Sequence, residues 1–137
     1  MADIINTILT GDLELVQQFI LEKNLDRLDW SCLTFSAAFG QFHLYRFFVD
    51  NCNIPLTTST IEYILWNLAF GVRTTNREHH MHTRTYQYYK YLRLPNDAAS
   101  RQWWCAHLTY LVDNYGVKLP LYLSEYLTNK IHMENEL

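Results

Sequence analysis

Two stretches of this chain repeat one pattern of apolar and polar positions. Gly11–Asn24 (GDLELVQQFILEKN) and Gly40–Asn53 (GQFHLYRFFVDNCN) align at an offset of 29 residues. The apolar positions recur at the spacing of an amphipathic helix. The matched pairs are Leu13 and Phe42, Leu15 and Leu44, Val16 and Tyr45, Phe19 and Phe48, and Ile20 and Val49. The pattern predicts one repeated supersecondary unit, and because so small a unit cannot bury its apolar face alone, the copies must stack.

The residues before each glycine predict a first, shorter helix. These stretches are DIINTILT (Asp3–Thr10), SCLTFSAAF (Ser31–Phe39) and EYILWNLAF (Glu62–Phe70), the last of which precedes Gly71. Small residues near the end of a short helix let a neighbour approach closely, and the following glycine suits the left-handed conformation that closes a helix. The predicted unit is therefore a short helix, a glycine turn and a longer amphipathic helix.

The second copy resembles the ankyrin repeat. Ser31–Asn51 (SCLTFSAAFGQFHLYRFFVDN) is similar to the family pattern TPLHLAA, two residues, then GHLEIVKLLLE, with Ser31 in the place of the capping Thr. The resemblance covers Ala2–Leu56 and returns at Cys105–Leu119. Because the offset is shorter than the ~33 residues of that family, we expect the hairpin between repeats to be trimmed to a turn. The resemblance implies an all-α solenoid of stacked helix-turn-helix repeats.

The third unit departs from the pattern, since about thirty residues are inserted between its paired helices. Its first helix ends at Gly71, and its second begins only near Gln102. Thr75 and Glu78 form a capping box that opens a helix within the insertion, although the alternation in Tyr86–Leu94 leaves a strand as the alternative. We predict a single domain with units at about 2–28, 29–57 and 58–119, an insertion at about 73–101 and a terminal capping helix within 120–137.

The helix after the insertion carries several notable side chains. Asn96 or Asp97 is expected to cap it. Trp103 and Trp104 are adjacent and cannot share one helical face, yet a core position is the favoured reading for both. His107 falls in the apolar stripe of the repeat, which favours a hydrogen-bonded core histidine over a ligand.

Composition agrees with a helical, globular chain. Apolar residues make up 49% and charged residues 18%, and Pro and Gly together number only seven. The three cysteines are an odd, widely spaced set in apolar runs, which favours buried thiols in a reducing compartment. The amino terminus lacks the basic region of a signal peptide, and no apolar run approaches the ~18 residues of a membrane span. We therefore expect an intracellular, cytoplasmic protein with no membrane partner.

Charge is unevenly distributed. The net charge is −3, yet the stretch from Arg73 to Arg93 has five basic residues and one acid. On a helix, one face of the insertion carries His79, His82, Tyr86, Lys90 and Arg93, opposite a stripe from Met81 to Leu92. Basic and aromatic side chains together can dock an acidic protein surface or bind nucleic acid. The protein partner is favoured because the rest of the chain repels polyanions.

Few residue patterns in the sequence suggest metal binding or catalysis. In EHHMH (Glu78–His82), Glu78 with His82, or His79 with His82, could bring two ligands to one metal ion. A catalytic zinc site needs a third ligand, and neither HExxH nor CxxC occurs. Since GxSxG, the P-loop and GxGxxG are also missing from the sequence, we predict no metal, no cofactor and no enzymatic activity. A small metal-dependent enzyme is the least favoured alternative.

These features favour a non-catalytic protein–protein interaction module that uses the basic, tyrosine-rich insertion and the repeat surface. Short chains of divergent ankyrin-like repeats rich in Asn, Tyr and Phe resemble the effectors that viruses and intracellular bacteria direct at host proteins. This resemblance implies a host-directed role. The alternative is a module that binds nucleic acid or nucleotides through the insertion.

Overall fold

The computed structural model describes residues 2–25, 28–70 and 93–128, and every regular element in these ranges is a helix. In chain order the helices are α1 (Ala2–Leu9), α2 (Leu13–Glu22), α3 (Ser31–Ala38), α4 (Phe42–Asn51), α5 (Thr58–Phe70), α6 (Ala98–Tyr115) and α7 (Leu121–Leu127). The prediction of an all-α fold is thus confirmed for the described part of the chain. Within these ranges, none of the helices is both long and apolar enough to cross a membrane.

Glycines close the short helices in the predicted way. Gly11 follows α1 with φ 75° and Gly40 follows α3 with φ 72°, and both values lie in the left-handed region that L residues with side chains avoid. Gly116 closes α6 with φ 65°. After the first turn, the Asp12 side chain accepts a hydrogen bond from the Leu15 backbone N–H at 3.1 Å, which caps α2.

The short helices pack in sequence along the described chain. Helix α1 packs against α3, and α3 packs against α5. Helices α1 and α2 pair with each other, as do α3 and α4, and α7 contacts both α5 and α6. The side chains with essentially no exposed surface are Ile4, Ile8, Val16, Leu44, Phe48, Leu65, Leu108, Leu123 and Tyr126. A single apolar core therefore runs from the first helix to the last.

The burial predicted for the repeated stripe is complete at three of its eight positions and partial at the other five. Val16, Tyr45 and Phe48 are fully buried. The remaining predicted positions are half-buried and pack against the core, namely Leu13, Phe19, Ile20, Phe42 and Val49. Leu15 is 42% exposed although its counterpart Leu44 is buried, so the two copies are not equivalent at that position.

Helix α3 begins differently from the expectation for a capping Ser31. Trp30 occupies the N-cap position without a side-chain hydrogen bond, and Ser31 is the first helical residue. The Asp29 carboxylate instead accepts hydrogen bonds from the Ser31 backbone N–H at 2.9 Å and from the Ser31 hydroxyl. The acceptor that opens this helix is therefore Asp29, because a carboxylate binds both donors of Ser31 at once.

Helix α5 begins at Thr58, four residues before the predicted start at Glu62. Thr57 and Thr60 cap this start reciprocally. The Thr57 backbone N–H donates to the Thr60 hydroxyl oxygen at 2.9 Å, and the Thr60 backbone N–H donates to the Thr57 hydroxyl oxygen at 3.3 Å. Two threonines thus satisfy donors that the first turn leaves unpaired.

Helix α6 begins at Ala98, four residues before Gln102, and its cap is one of the two residues expected for that role. The Asp97 carboxylate accepts from the Ser100 backbone N–H at 3.1 Å, which makes Asp97 the cap. Trp104 is 2% exposed, whereas Trp103 is half-buried, so the core position predicted for both tryptophans is correct only for Trp104. Residues 93–95 have no regular secondary structure, and the rest of the helix predicted within the insertion lies outside the described residues. The terminal helix is described as α7, up to Leu127.

All three cysteines are free thiols, as expected. Cys32 is buried in α3, while Cys52 and Cys105 are half-buried. Burial raises the pKa of the Cys32 thiol to about 12, and the negative charge of Asp29 adds to the effect. Burial also raises the pKa of Cys52.

Candidate interaction surface

The three short helices share one register when they are aligned on the glycines that follow them. Thr7, Ser36 and Asn67 then occupy the same position, and all three are buried polar side chains. The Ser36 hydroxyl donates to the Cys32 carbonyl at 2.6 Å, and the Asn67 amide donates to the Tyr63 carbonyl at 2.9 Å. A polar side chain at one buried position in all three helices indicates that each helix turns the same side toward its neighbours.

The position just before this polar residue is exposed in α1 and α5 and half-buried in α3. It is held by Asn6 in α1, Phe35 in α3 and Trp66 in α5. Trp66 is 48% exposed, and Tyr63, three residues earlier on the same side of α5, is 41% exposed. Trp30 at the start of α3 is 37% exposed. We call Trp30, Phe35, Tyr63 and Trp66 the aromatic face.

Ring contacts join the two helices across this face. Trp30 and Tyr63 meet edge to face, with ring centroids 5.8 Å apart and planes at 86°. Phe35 stacks on Phe39, with centroids 6.2 Å apart and nearly parallel planes. Trp66 contacts Phe70 at a centroid distance of 4.4 Å. Each ring of the aromatic face thus has at least one neighbouring ring.

A second group of aromatic side chains joins α4 to α6. The Tyr45 hydroxyl and His107 Nε2 lie 2.7 Å apart in a hydrogen bond. The His107 ring stacks on Trp103 with centroids 5.0 Å apart. On the outer side, the Trp103 indole N–H donates to the Asp50 carboxylate at 3.2 Å, and the guanidinium of Arg46 lies 5.2 Å above the Trp103 ring. These side-chain contacts link α6 to α4.

Burial determines the ionisation states of His107 and Tyr45. It lowers the pKa of His107 from its ordinary 6.5 to about 4, against the weaker opposing effect of the Asp50 carboxylate. Burial also raises the pKa of the Tyr45 hydroxyl. His107 is therefore neutral near pH 7. The predicted hydrogen bond of this histidine is confirmed, and its ring lies half-buried at the edge of the core.

Only one of the five predicted partner-binding residues lies in the described ranges. Arg93 is exposed, and its guanidinium carbon lies 5.1 Å above the Tyr122 ring. Next to it, the Leu94 backbone N–H donates to the Tyr122 hydroxyl at 2.8 Å, and burial raises the pKa of that hydroxyl. The other four predicted residues, His79, His82, Tyr86 and Lys90, lie outside the described residues, as does the whole Glu78–His82 motif.

The end of the insertion is tied to α7 by further contacts. Arg101 donates from Nη2 to the Tyr126 carbonyl at 2.9 Å, and its guanidinium lies 4.5 Å above the Tyr126 ring. The Tyr126 hydroxyl donates to the Pro95 carbonyl. Pro95 and the first turn of α6 are thus bound to α7, the last described helix.

No set of three His, Cys, Asp or Glu side chains within the described ranges is close enough to hold a metal ion. Comparisons with protein-family models, with curated proteins and with solved structures gave no match for this chain.

Sequence reasoning missed the aromatic face. The signal was present in EYILWNLAF, where Tyr63 and Trp66 are three residues apart on one side of a predicted helix. Alignment of the two helices on Gly40 and Gly71 places Trp66 at the position equivalent to Phe35, next to the buried polar position and not at it.

Proposed function

We propose that this chain is a non-catalytic protein–protein interaction module, built as a solenoid of ankyrin-like repeats with an insertion in its third unit. The order of helix contacts, α1 to α3 to α5, supports stacked repeats. The buried polar position shared by Thr7, Ser36 and Asn67 supports the same register in each unit. Stacked repeats offer an extended surface, which suits the binding of a macromolecule.

The observation that carries this proposal is the aromatic face. Trp30, Tyr63 and Trp66 keep 37%, 41% and 48% of their surface exposed, although each could bury on the order of 150–250 Å². Clustered exposed aromatic side chains are costly to leave in water and mark interaction sites. Trp and Tyr are also the residues on which binding energy concentrates at protein interfaces.

We further propose that the basic insertion forms a second contact. His79, His82, Tyr86, Lys90 and Arg93 would face a partner with an acidic surface, because the insertion is the only strongly basic stretch of an otherwise acidic chain. By the resemblance to host-directed repeat effectors, we propose that the protein acts in the cytoplasm, on a protein of a host cell.

Affinity capture followed by binding measurements with the purified captured protein tests this function. We expect Trp66→Ala to weaken binding at least tenfold. The double charge reversal Lys90→Glu/Arg93→Glu should also weaken binding, and circular dichroism checks that the fold of this variant is retained. Tyr110→Ala is the matched control, because Tyr110 is a 55% exposed aromatic residue on α6, outside the aromatic face.

Two results would contradict the proposal. One is equal partner binding by the parent, Trp66→Ala and the double charge reversal. The other is binding to nucleic acid of any sequence with a steep fall at higher salt, which would support the alternative of a nucleic-acid module.

A further inference from the structure

We propose that the aromatic face binds a cationic segment of the partner protein, with an arginine or lysine side chain seated against Trp30 and Tyr63. This inference rests on the proposed interaction function and names the chemistry of the partner at one of its two surfaces. It differs from the contact expected of the insertion, where the partner would be acidic.

The geometry of the two rings supports a cation. Their planes stand at 86° with centroids 5.8 Å apart, so a group in the corner between them touches two aromatic surfaces at once. The face of an aromatic ring attracts cations, most strongly for Trp and then Tyr. Both rings are more than a third exposed, so a side chain can reach them from solvent.

Exposed acidic residues are the sequence neighbours of both aromatic residues. Asp29 precedes Trp30, and Glu62 precedes Tyr63, and both are exposed. The first seventy residues are acidic as a whole, with three basic residues (Lys23, Arg27 and Arg46) against eight acidic ones (Asp3, Asp12, Glu14, Glu22, Asp26, Asp29, Asp50 and Glu62). A negative surface attracts and orients a cationic segment and repels an anionic one.

The chain already uses this kind of contact internally. Arg46 lies over Trp103, Arg93 over Tyr122 and Arg101 over Tyr126, at distances of 4.5 to 5.2 Å from the guanidinium carbon to the ring centre. These three arginines pack on rings of α6 and α7. The rings of Trp30 and Tyr63 are exposed aromatic surfaces of the same kind, and each residue follows an acidic residue in the chain.

The test is a titration of the isotope-labelled full chain with a synthetic peptide of alternating glycine, arginine and lysine. The indole N–H signals of the four tryptophans report the site of binding. We expect saturable shifts at Trp30 and Trp66 and none at the buried Trp104. A matched neutral peptide, with citrulline for arginine and acetyl-lysine for lysine, should bind at least about tenfold more weakly.

Substitutions separate ring chemistry from apolar contact. Trp30→Leu and Tyr63→Leu keep an exposed apolar side chain but remove the ring, and each should weaken peptide binding about fivefold. Tyr110→Leu on α6 should leave the affinity unchanged. Circular dichroism of each variant confirms that the fold is retained, which we expect since the replaced side chains are exposed.

Several results would overturn the inference. Equal binding of the neutral peptide would make the face an apolar site with no preference for cations. Peptide binding that occurs only after Arg73, Arg77 and Arg84 are replaced by Gln would mean that the basic stretch of the chain itself occupies the face. Self-association that produces the same signal shifts would assign the face to a second copy.

The outcome also separates this inference from the proposed function. If Trp66→Ala abolishes partner capture but the cationic peptide does not bind, the interaction function stands and the cationic partner is wrong. If the peptide binds as expected but capture does not depend on Trp66, the chemistry of the face stands and its role in the function is wrong.

Discussion

The burial of His107, which lowers its pKa, makes the stability of the fold depend on pH. Replacement of His107 by Gln keeps a side chain that can bond to the Tyr45 hydroxyl and removes the group that titrates. Tyr45 is 1% exposed and lies 2.7 Å from His107 Nε2. Because burial lowers the pKa of His107 to about 4, protonation of this ring is suppressed in the folded chain and proceeds in the unfolded one.

The sign and size of the effect follow from this difference. Between about pH 6.5 and about pH 4 the unfolded chain binds one more proton at this site than the folded chain does. The contribution of His107 to the free energy of unfolding is therefore complete above pH 6.5 and is lost as the pH falls through that range. A difference of one pKa unit corresponds to about 1.4 kcal/mol, so the loss amounts to at most about 3.5 kcal/mol.

Urea unfolding, followed by circular dichroism from about pH 7.5 down to about pH 4.5, measures the effect. The parent and His107→Gln should differ by about 1 kcal/mol at neutral pH, and this difference should shrink or reverse as the pH falls. His43→Gln is the control. His43 is exposed on α4 and its ring nitrogen lies 2.7 Å from the Gly11 carbonyl, so it carries a histidine hydrogen bond outside the core.

The reasoning is refuted if His107→Gln loses stability with falling pH as steeply as the parent does. It is also refuted if His43→Gln flattens the profile as much as His107→Gln, because the buried ring would then not be the source of the slope.

Three further stability changes follow from the packing, the caps and the backbone, and urea unfolding at neutral pH measures each. Phe48→Ala should cost about 3–5 kcal/mol because Phe48 is fully buried, and the half-buried neighbour Phe47→Ala should cost clearly less. Asp97→Ala should cost about 1 kcal/mol through loss of the cap of α6, while Asp113→Ala on the exposed side of the same helix should stay within about 0.5 kcal/mol. Gly116→Ala should cost about 1–2 kcal/mol from its positive φ alone, because the added Cβ meets no atom within 4 Å.

Each of these expectations has a contrary result. A Phe48→Ala variant that unfolds at the same urea concentration as the parent would refute the stacked core. Equal costs for Asp97→Ala and Asp113→Ala would mean that the cap contributes nothing. A neutral or stabilising Gly116→Ala would show that the turn after α6 relaxes away from the left-handed conformation.

The sequence predicted the helices of the first two units because local signals and packing agree there. Gly11 and Gly40 take the positive φ that the repeat pattern required, and Val16 and Phe48 are buried in its stripe. Asp97 caps α6 as expected because an acceptor before a helix has few competing roles. A sequence pattern predicts the role of a residue correctly where that residue type has one common structural role at that position.

Prediction was wrong where neighbours decide the role of a residue. Ser31 stands where the family has its capping residue, but in the structure it is a donor. Its backbone N–H donates to the Asp29 carboxylate. Trp103 is displaced from the core because its indole N–H finds Asp50 at the surface. The aromatic face was missed because the exposure of a side chain depends on how the helices pack together. Aromatic residues on a helix are expected in the core until the orientation of that helix against its neighbours is known.

The buried thiol of Cys32 gives the chain an internal reporter of local opening. Its pKa of about 12 and its position in α3 keep it unreactive while the helices are packed. Cys52 and Cys105 are half-buried, so a thiol reagent reaches them far sooner. The rate at which Cys32 is labelled therefore measures how often α3 separates from the helices packed against it, α1, α4 and α5. A ligand that binds across α3 and α5 should slow that rate in proportion to its occupancy.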